Sequence, residues 1–457
     1  MDRVEAKERV ARQRAFFRSG ATRELAFRRD RLRELRAMVL AAEPRIFEAL
    51  RADLGKPALE AYGGELAIVR REIDHALRHL DGWARPRRVR TILAHLPGRS
   101  EIRREPRGVV LVISPWNFPV QLTLVPAVGA IAAGNVAILK VPPLAKATSA
   151  LLAELVGSRF DPGLLSVAEG GVEAAEALLA EQLDYVFFTG GPVAGRRVME
   201  AAARHLTPVT LELGGKNPCI VDADVDLDVA ARRIAWGKFF NAGQSCVAVD
   251  YLLVDRAVKG ALLERIAAAI RDFYGEDPRR SPDFGRIIDE GHFDRTMARL
   301  RSGRVVLGGQ SDRAERYVAP TLVEGVAIGD LLMEEEIFGP VLPVMEFGDV
   351  AEAIATVNAL PPPLALYVFS RSAPFQERVL RETVAGGGCV NDTTIQFTSA
   401  LLPFGGAGES GMGAYHGQAS FELFSRQRSL VRRGFAFDVK LRYPPYAGKL
   451  RWFRRLF

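Results

Sequence analysis

The sequence predicts an α/β protein built on parallel sheet covered on both faces, and three observations carry that reading. Short runs rich in Val, Ile and Leu (GVVLVIS, NVAILKV, LLSVAEG, YVFFTG) alternate with helical stretches such as ATSALLAELV and GRRVMEAAARHL, the texture of strands buried by crossover helices. The alternation restarts after His205, with strands at TPVTLEL, NPCIVD and VAVDYLLV and helices at VKGALLERIAAAIRDFYG and AEAIATVNAL. The length of 457 residues exceeds what one hydrophobic core sustains, so two or three domains sharing interfaces are expected.

In chain order, residues 1–85 show helical periodicity with few turn signals before Gly55 and Gly63. They read as several helices and contain no candidate site. From Pro86 to Arg107 the pattern becomes two short alternating segments, RVRTILAHL and RSEIRREP, separated by the turn dipeptide Pro97-Gly98. An isolated hairpin is marginal in water, so this pair is expected to add to a sheet elsewhere, in this or another subunit. The most apolar run, Thr123 to Leu139, contains Pro126, Gly129, Gly134 and Asn135. It is short for a membrane span and reads as a buried helix followed by a buried strand. Glycine and proline cluster from Gly386 to Gly413; so long a loop in a compact domain is usually functional.

Forty-eight per cent hydrophobic and 26 per cent charged residues are ordinary for a soluble globular chain. The net charge of +7 is spread through mixed-sign helical segments such as RRDRLRELRAMVLAAEPRIFEALRADLGK, a solvated face rather than a nucleic-acid patch. Three cysteines give no disulfide framework, and MDRVEAKERVARQRAFF puts charges where a signal peptide needs an apolar segment. A cytoplasmic location is therefore expected.

The segment FFNAGQSC ends at Cys246. A cysteine nucleophile needs a route to thiolate, a donor for the oxyanion it creates and a base for product release. His205 and His292, the nearest histidines, lie in segments that read as surface helix. Glu212, in VTLELGGKNP, stands at a strand end where two glycines let the backbone turn; a desolvated carboxylate there suits a general base, although an ion-pair role fits the local sequence as well. Asn117, in VISPWNFP, follows a buried strand between two prolines, placed to donate to an oxyanion or simply to make a turn. In FFTGGPVAG, Gly190 and Gly195 permit a phosphate to approach a helix N-terminus, without the full dinucleotide fingerprint. EEIFGPV sets Glu336 and Phe338 before a Gly-Pro turn, to hold a ribose and the face of a flat ring or to cap structure. No metal site is expected.

Taken together and in order, SPWNFP, FTGGPVAG, LELGGKNP, FNAGQSC, EEIFGPV and LPFGGAGESGMGAYHGQASFELFS resemble the aldehyde dehydrogenase superfamily, in particular the class 3 type that includes fatty and aromatic aldehyde dehydrogenases. The resemblance runs from about residue 5 to residue 446 and implies the following assignments. Cys246 attacks the aldehyde, Asn117 and the Cys246 backbone N–H hold the oxyanion, hydride passes to a nicotinamide, and Glu212 activates the water that hydrolyses the thioester. NAD or NADP would be held by Trp116, Lys140, Gly190, Gly195, Glu336 and Phe338. The implied fold joins a Rossmann-like cofactor domain (residues 1–85 and 107–210), an α/β catalytic domain (211–395), an oligomerisation ribbon (86–106 and 396–440) and a tail (441–457), assembled as a homodimer. Phe118, Phe240, Thr393 and Thr394 suggest an apolar aldehyde, long-chain or aromatic.

Three departures from the family pattern matter. A Lys-Pro-Ser-Glu segment commonly places a carboxylate on the adenosine ribose; here Lys140, Val141, Pro142 and Pro143 stand instead, which removes repulsion against a 2′-phosphate, so NADP is expected to be used at least as well as is usual in this class, with NAD the safer expectation. Gln396 stands where class 3 relatives often have histidine. The tail, KLRWFRRLF, is expected to pack on the body, with weak peripheral membrane contact through Trp452, Phe453 and Phe457 as the second reading. The alternative function is a non-catalytic binding or structural protein on the same fold, whose cofactor site has decayed at Pro142 and Pro143; Cys246, Glu212 and Asn117 together weigh against it.

Overall fold

In the computed structural model, residues 1–438 and 440–455 are described; Phe457 lies outside them. Strands Val209–Glu212, Tyr185–Thr189, Val109–Ile113, Val136–Lys140 and Leu165–Ala168 lie side by side in that order, all parallel, and Gly411–Met412 adds antiparallel outside Val209–Glu212. The chain starts this sheet at Val109–Ile113, builds outward to one side and then returns to build on the other. A crevice therefore opens beyond the carboxyl ends of Val109–Ile113 and Tyr185–Thr189, where the strand order reverses. The apolar run divides as expected into helix Gln121–Ala133, buried along its whole length, and strand Val136–Lys140, with Gly134 in the left-handed turn between them. No helix among the described residues is long and apolar enough to cross a membrane.

A second sheet has seven strands in the order Arg304–Leu307, Thr321–Glu324, Val341–Phe347, Tyr251–Asp255, Pro218–Val221, Ala365–Phe369 and Gly387–Val390, antiparallel only at the first pair. Gly387–Val390 lies within the segment expected to be loop. Glycine suits this edge strand, because a Cβ at Gly388 would strike the carbonyl of Leu366 on the neighbouring strand.

Arg87–Val89 pairs with Arg99–Pro106, and that hairpin gains its third strand from the same chain, Ser425–Arg432, over eight residues. Among the described residues of the segment 396–440, only Ser425–Arg432 enters this ribbon. Gly411–Met412 joins the first sheet, and helix Gly417–Leu423 packs on Gln121–Ala133 so closely that a Cβ at Gly129 would lie 2.7 Å from the Ser420 side chain. Tyr415, Phe421 and Phe424 explain the detour, since all three are buried in the core of the first sheet. The tail helix Leu450–Phe453 leaves Trp452 50% and Phe453 40% exposed, and Arg451 and Arg455 lie over the Trp452 ring.

The N-terminal helices Arg3–Arg18, Leu25–Ala41, Glu43–Leu54 and Ala67–Ala84 form as expected. Ahead of the last, Tyr62–Leu66 widens into a π turn. Gly64 brings that turn against Phe118 and Phe240, with room for nothing larger: a Cβ would lie 3.0 Å from one ring and 3.1 Å from the other.

Candidate active site

At the crevice, the chain ends strand Val109–Ile113 with Ser-Pro-Trp-Asn, strand Tyr185–Thr189 with Gly-Gly and strand Val209–Glu212 with Leu-Gly-Gly. Cys246 and Glu336–Phe338 approach from the second sheet. Together they enclose a cavity of about 240 Å3 lined by Trp116, Asn117, Gly190, Glu212, Cys246, Glu336 and Phe338, with Pro115, Thr189, His292 and Arg295 among the others. Lys140 and Gly195 do not line it. Gly195 sits in the first turn of helix Pro192–Ala203, where a Cβ would lie 2.8 Å from Leu213, so it sets helix-to-strand packing.

The Cys246 loop follows helix Leu227–Phe239 through three consecutive left-handed residues, Asn241 (φ 53°), Ala242 (φ 52°) and Gly243 (φ 73°). Two of these are not glycine, a conformation that persists only when its surroundings enforce it. Asn241 Nδ2 donates to the carbonyls of Asn117 (3.1 Å) and Gln244 (3.0 Å), Gln244 Nε2 donates to Arg286 O (2.9 Å), and Asn217 Nδ2 donates to Cys246 O (2.7 Å). At Gly243 a Cβ would strike the carbonyl of Gly339, so the loop and the Glu336 segment touch backbone to backbone.

Burial pushes the Cys246 thiol up, and Glu336 and Glu212 push it further, while the Cys246 and Val247 backbone N–H groups act in the opposite sense. The thiol rests protonated and needs a base. Glu212 is 3% exposed, neither carboxylate oxygen has a hydrogen-bond partner, and burial raises it well above the usual carboxylate range. Glu336 is also raised, by burial and then by Asp250, against Lys216, Lys238 and the Gly215 N–H. Lys216 pairs with Asp250 at 2.5 Å, and Asp250 Oδ1 accepts from Ile337 N at 3.0 Å, which anchors the Glu336 segment. Lys238 is wholly buried with no hydrogen-bond partner at Nζ, and burial lowers it to about 8.

Asn117 is held from the N-terminal helices, where no site was expected. Lys56 Nζ donates to Asn117 O (3.0 Å) and pairs with Glu65 (2.6 Å), both side chains being fully buried. Glu65 Oε2 in turn accepts the N–H groups of Val120 (2.8 Å) and Gln121 (3.0 Å), at the start of helix Gln121–Ala133. Asn117 Nδ2 reaches Gln244 O at 3.1 Å, across to the Cys246 loop.

On the far side of the cavity, Trp116 meets Phe338 and His292 edge to face, with centroids 5.3 and 4.7 Å apart. His292, read from the sequence as a surface residue, lies on helix Glu290–Arg299 with Arg295 and Arg299 facing the cleft, and Asp289 accepts from its Nδ1 at 2.7 Å. The helix spacing of three and four residues was the available signal for this face. Lys140 is buried, donates to Val141 O (2.7 Å) and Gly170 O (2.8 Å), and burial lowers it to about 8.

A second, smaller cavity of about 20 Å3 meets the first at Cys246 and Leu122. Phe118, Val247, Phe397, Phe404, Tyr415 and His416 line it, with Gln121 and Ser245. Phe240 stacks behind Phe118 at 6.1 Å. Thr393 and Thr394 do not reach it; Thr393 Oγ1 is bonded to Arg233 O at 2.7 Å. Gln396 also turns elsewhere, donating to Tyr367 OH (3.3 Å) and accepting from Cys389 Sγ (2.9 Å).

The model of the aldehyde dehydrogenase family matches residues 1–430. The chain belongs to the aldehyde dehydrogenase family. It is 46% identical over 449 residues to mouse aldehyde dehydrogenase family 3 member A2, covering 98% of this chain and 93% of the relative. It is 44% identical over 445 residues to a dog aldehyde dehydrogenase described as dimeric and NADP-preferring, covering 97% and 98%. A solved Staphylococcus aureus AldH, described as a substrate-bound state, superposes with a TM-score of 0.96 at 41% identity, covering 99% of each chain. The protein is thus an NAD(P)-dependent aldehyde dehydrogenase of class 3 type, and the cleft fits such a cofactor. Helix Pro192–Ala203 begins at Gly191 with no side-chain cap, leaving N–H groups for a diphosphate. Glu336 Oε1 is buried without a partner, free to accept from ribose hydroxyls, and Gly214 provides its room, since a Cβ there would overlap the carboxylate.

Proposed function

We propose that this aldehyde dehydrogenase oxidises an apolar aldehyde, long-chain or aromatic, to the carboxylic acid through a covalent thioester at Cys246. The observation that carries the reading is the position of Cys246 where two unlike cavities meet. The larger holds Glu212, Glu336 and the aromatic cleft; the smaller is mostly aromatic and aliphatic. The thiol gives its proton to Glu212 as sulfur bonds the aldehyde carbon, and Glu212 releases that proton to solvent through the cleft. The oxyanion is held by Asn117 Nδ2 and the Cys246 N–H in a water-poor site, where such donors act most strongly. Bound NAD or NADP supplies the acceptor for the hydride leaving that carbon. Glu212 then takes a proton from water as the water oxygen attacks the thioester carbon; the C–S bond breaks, the acid leaves, and Glu212 returns the proton to the departing sulfur.

For cofactor choice, the absence of a carboxylate after Lys140 supports NADP being used well. Arg295, which forms no ion pair among those described, adds a cation to the cleft for a phosphate. Ser425–Arg432 is an exposed strand with an open edge, the kind of surface that pairs with a second chain, and it supports a homodimer through the ribbon. Exposed Trp452 and Phe453 among arginines support weak peripheral membrane contact as a subordinate feature, tested by co-sedimentation with anionic vesicles.

Mixing the protein with NAD or NADP and a panel of aliphatic and aromatic aldehydes, and following absorbance of the reduced cofactor, tests the reading. Turnover that Cys246→Ala abolishes is expected; a tenfold NAD preference, about 1.4 kcal/mol, would remove the NADP argument.

A further inference from the structure

His416 lines the small cavity beside Cys246 and is not used by the mechanism above. Three features set it apart. Its side chain is 1% exposed and Nδ1 is bonded to Glu72 Oε1 at 2.7 Å, yet Nε2 is buried without a partner. Its backbone lies at φ +80°, which an L residue with a side chain rarely adopts. And the conformation is enforced, because Glu72 also accepts the Gly417 N–H (2.9 Å to Oε2) while the His416 N–H donates to Ser420 Oγ (2.8 Å). A ring present only for packing has no reason to leave a buried nitrogen unpaired, which is costly in a dry environment.

Glu72 fixes which ring nitrogen is engaged. Nδ1 faces Glu72, so Nε2 is the nitrogen left for a ligand, and a hydroxyl can pair with it by donating or by accepting. Gln121, Ser245 and Tyr415 are the other polar side chains of this cavity. Cys246 and His416 both line this cavity, so a chain carried on the sulfur would meet His416, and the role left to it is recognition of that chain.

We infer that His416, oriented by Glu72, is a specificity-determining residue whose Nε2 shares a hydrogen bond with a hydroxyl carried on the apolar body of the aldehyde. This rests on the smaller cavity being the aldehyde pocket, as proposed above. A largely apolar pocket with one unpaired buried nitrogen in its lining favours a substrate that can hydrogen-bond to it over the shape-matched analogue that cannot, because the analogue leaves that nitrogen unpaired.

The test uses rigid pairs that cannot cyclise: meta- and para-(hydroxymethyl)benzaldehyde against the corresponding ethylbenzaldehydes, with benzaldehyde as reference. For the wild-type enzyme, kcat/KM should favour the hydroxymethyl member of one positional pair by about tenfold or more, equivalent to about 1.4 kcal/mol. In His416→Phe that preference, read as the ratio within each pair, should vanish or reverse whatever the change in benzaldehyde kcat/KM. His416→Gln, which restores an acceptor oxygen, should recover part of it. Wild-type preference for the ethyl compound in both pairs would overturn the inference without any variant being made, as would an unchanged preference in His416→Phe. Failure of the wild type to oxidise any of the five aldehydes would instead overturn the aldehyde-pocket reading on which the inference stands.

Discussion

Replacing Lys56 by Met probes how the candidate oxyanion donor is held. The substitution keeps the length of the side chain but removes the ammonium that pairs with Glu65 at 2.6 Å and donates to Asn117 O at 3.0 Å, with both partners fully buried. Stranding a buried charge by deleting its partner costs about 3–5 kcal/mol. Glu65 would keep two backbone N–H donors at a helix N-terminus, Val120 and Gln121, which offsets about 1 kcal/mol. Asn117 O would keep Asn241 Nδ2 and so is not orphaned. The expected loss is about 2–4 kcal/mol, read from the shift in urea midpoint at unchanged m. Adding Glu65→Gln should restore at least half of that loss, because a neutral amide still accepts both N–H groups and leaves no stranded charge. Activity separates position from stability: below the unfolding range, kcat should fall by more than KM rises in Lys56→Met, since the Asn117 donor is aimed at charge that develops during reaction. A loss under 1 kcal/mol, or a double variant no more stable than the single one, would refute the reasoning.

Other substitutions test the remaining parts of the site. Glu212→Gln should slow the burst of reduced cofactor, because the thiol loses its base, and lower steady-state turnover at least a hundredfold, because hydrolysis loses it too; an unchanged steady state removes Glu212 from both steps. Glu60, whose Oε2 accepts the Asn241 N–H at 2.9 Å, is raised by burial to about 7. Because the folded value lies above the unfolded one, its contribution is fully present below about pH 4.5 and is lost as pH rises to about 7; Glu60→Gln should therefore stabilise the protein at pH 8 by up to about 3 kcal/mol and flatten unfolding free energy across that window. Gly243→Ala should abolish activity and lower stability, since a Cβ at φ +73° meets the Gly339 carbonyl; wild-type turnover in this variant would mean that the loop does not need its left-handed path.

Local chemistry explains which parts of this molecule were legible in its sequence. Strands such as VVLVI and YVFFT announce themselves because burial on both faces demands unbroken β-branched and aromatic runs. Cys246, Glu212, Asn117 and Glu336 stand out because each sits beside the glycine, proline or asparagine that its tight turn requires, and those turns lie where the strand order reverses. Gly195 misled for the same reason: glycine marks close approach but does not say to what, and here the neighbour is Leu213.

The groups that hold the site together carried no such mark. Glu72 reaches His416 across 344 residues, and Lys56 reaches Asn117 across 61; a charge on an amphipathic helix looks the same whether it faces water or a buried partner. Lys238 is the instructive intermediate case. It continues the stripe of Ala231, Ile234 and Ala235 on helix Leu227–Phe239, all buried, so helical spacing alone placed its ammonium among apolar neighbours. A lysine on an apolar stripe three residues before an asparagine-glycine turn has to find a carboxylate or lose its charge, and Asp250 and Glu336 are the ones that act on it. Read for that conflict between residue type and periodicity, the segment WGKFFNAGQSC points beyond its cysteine to the buried charges that set the environment of the thiol.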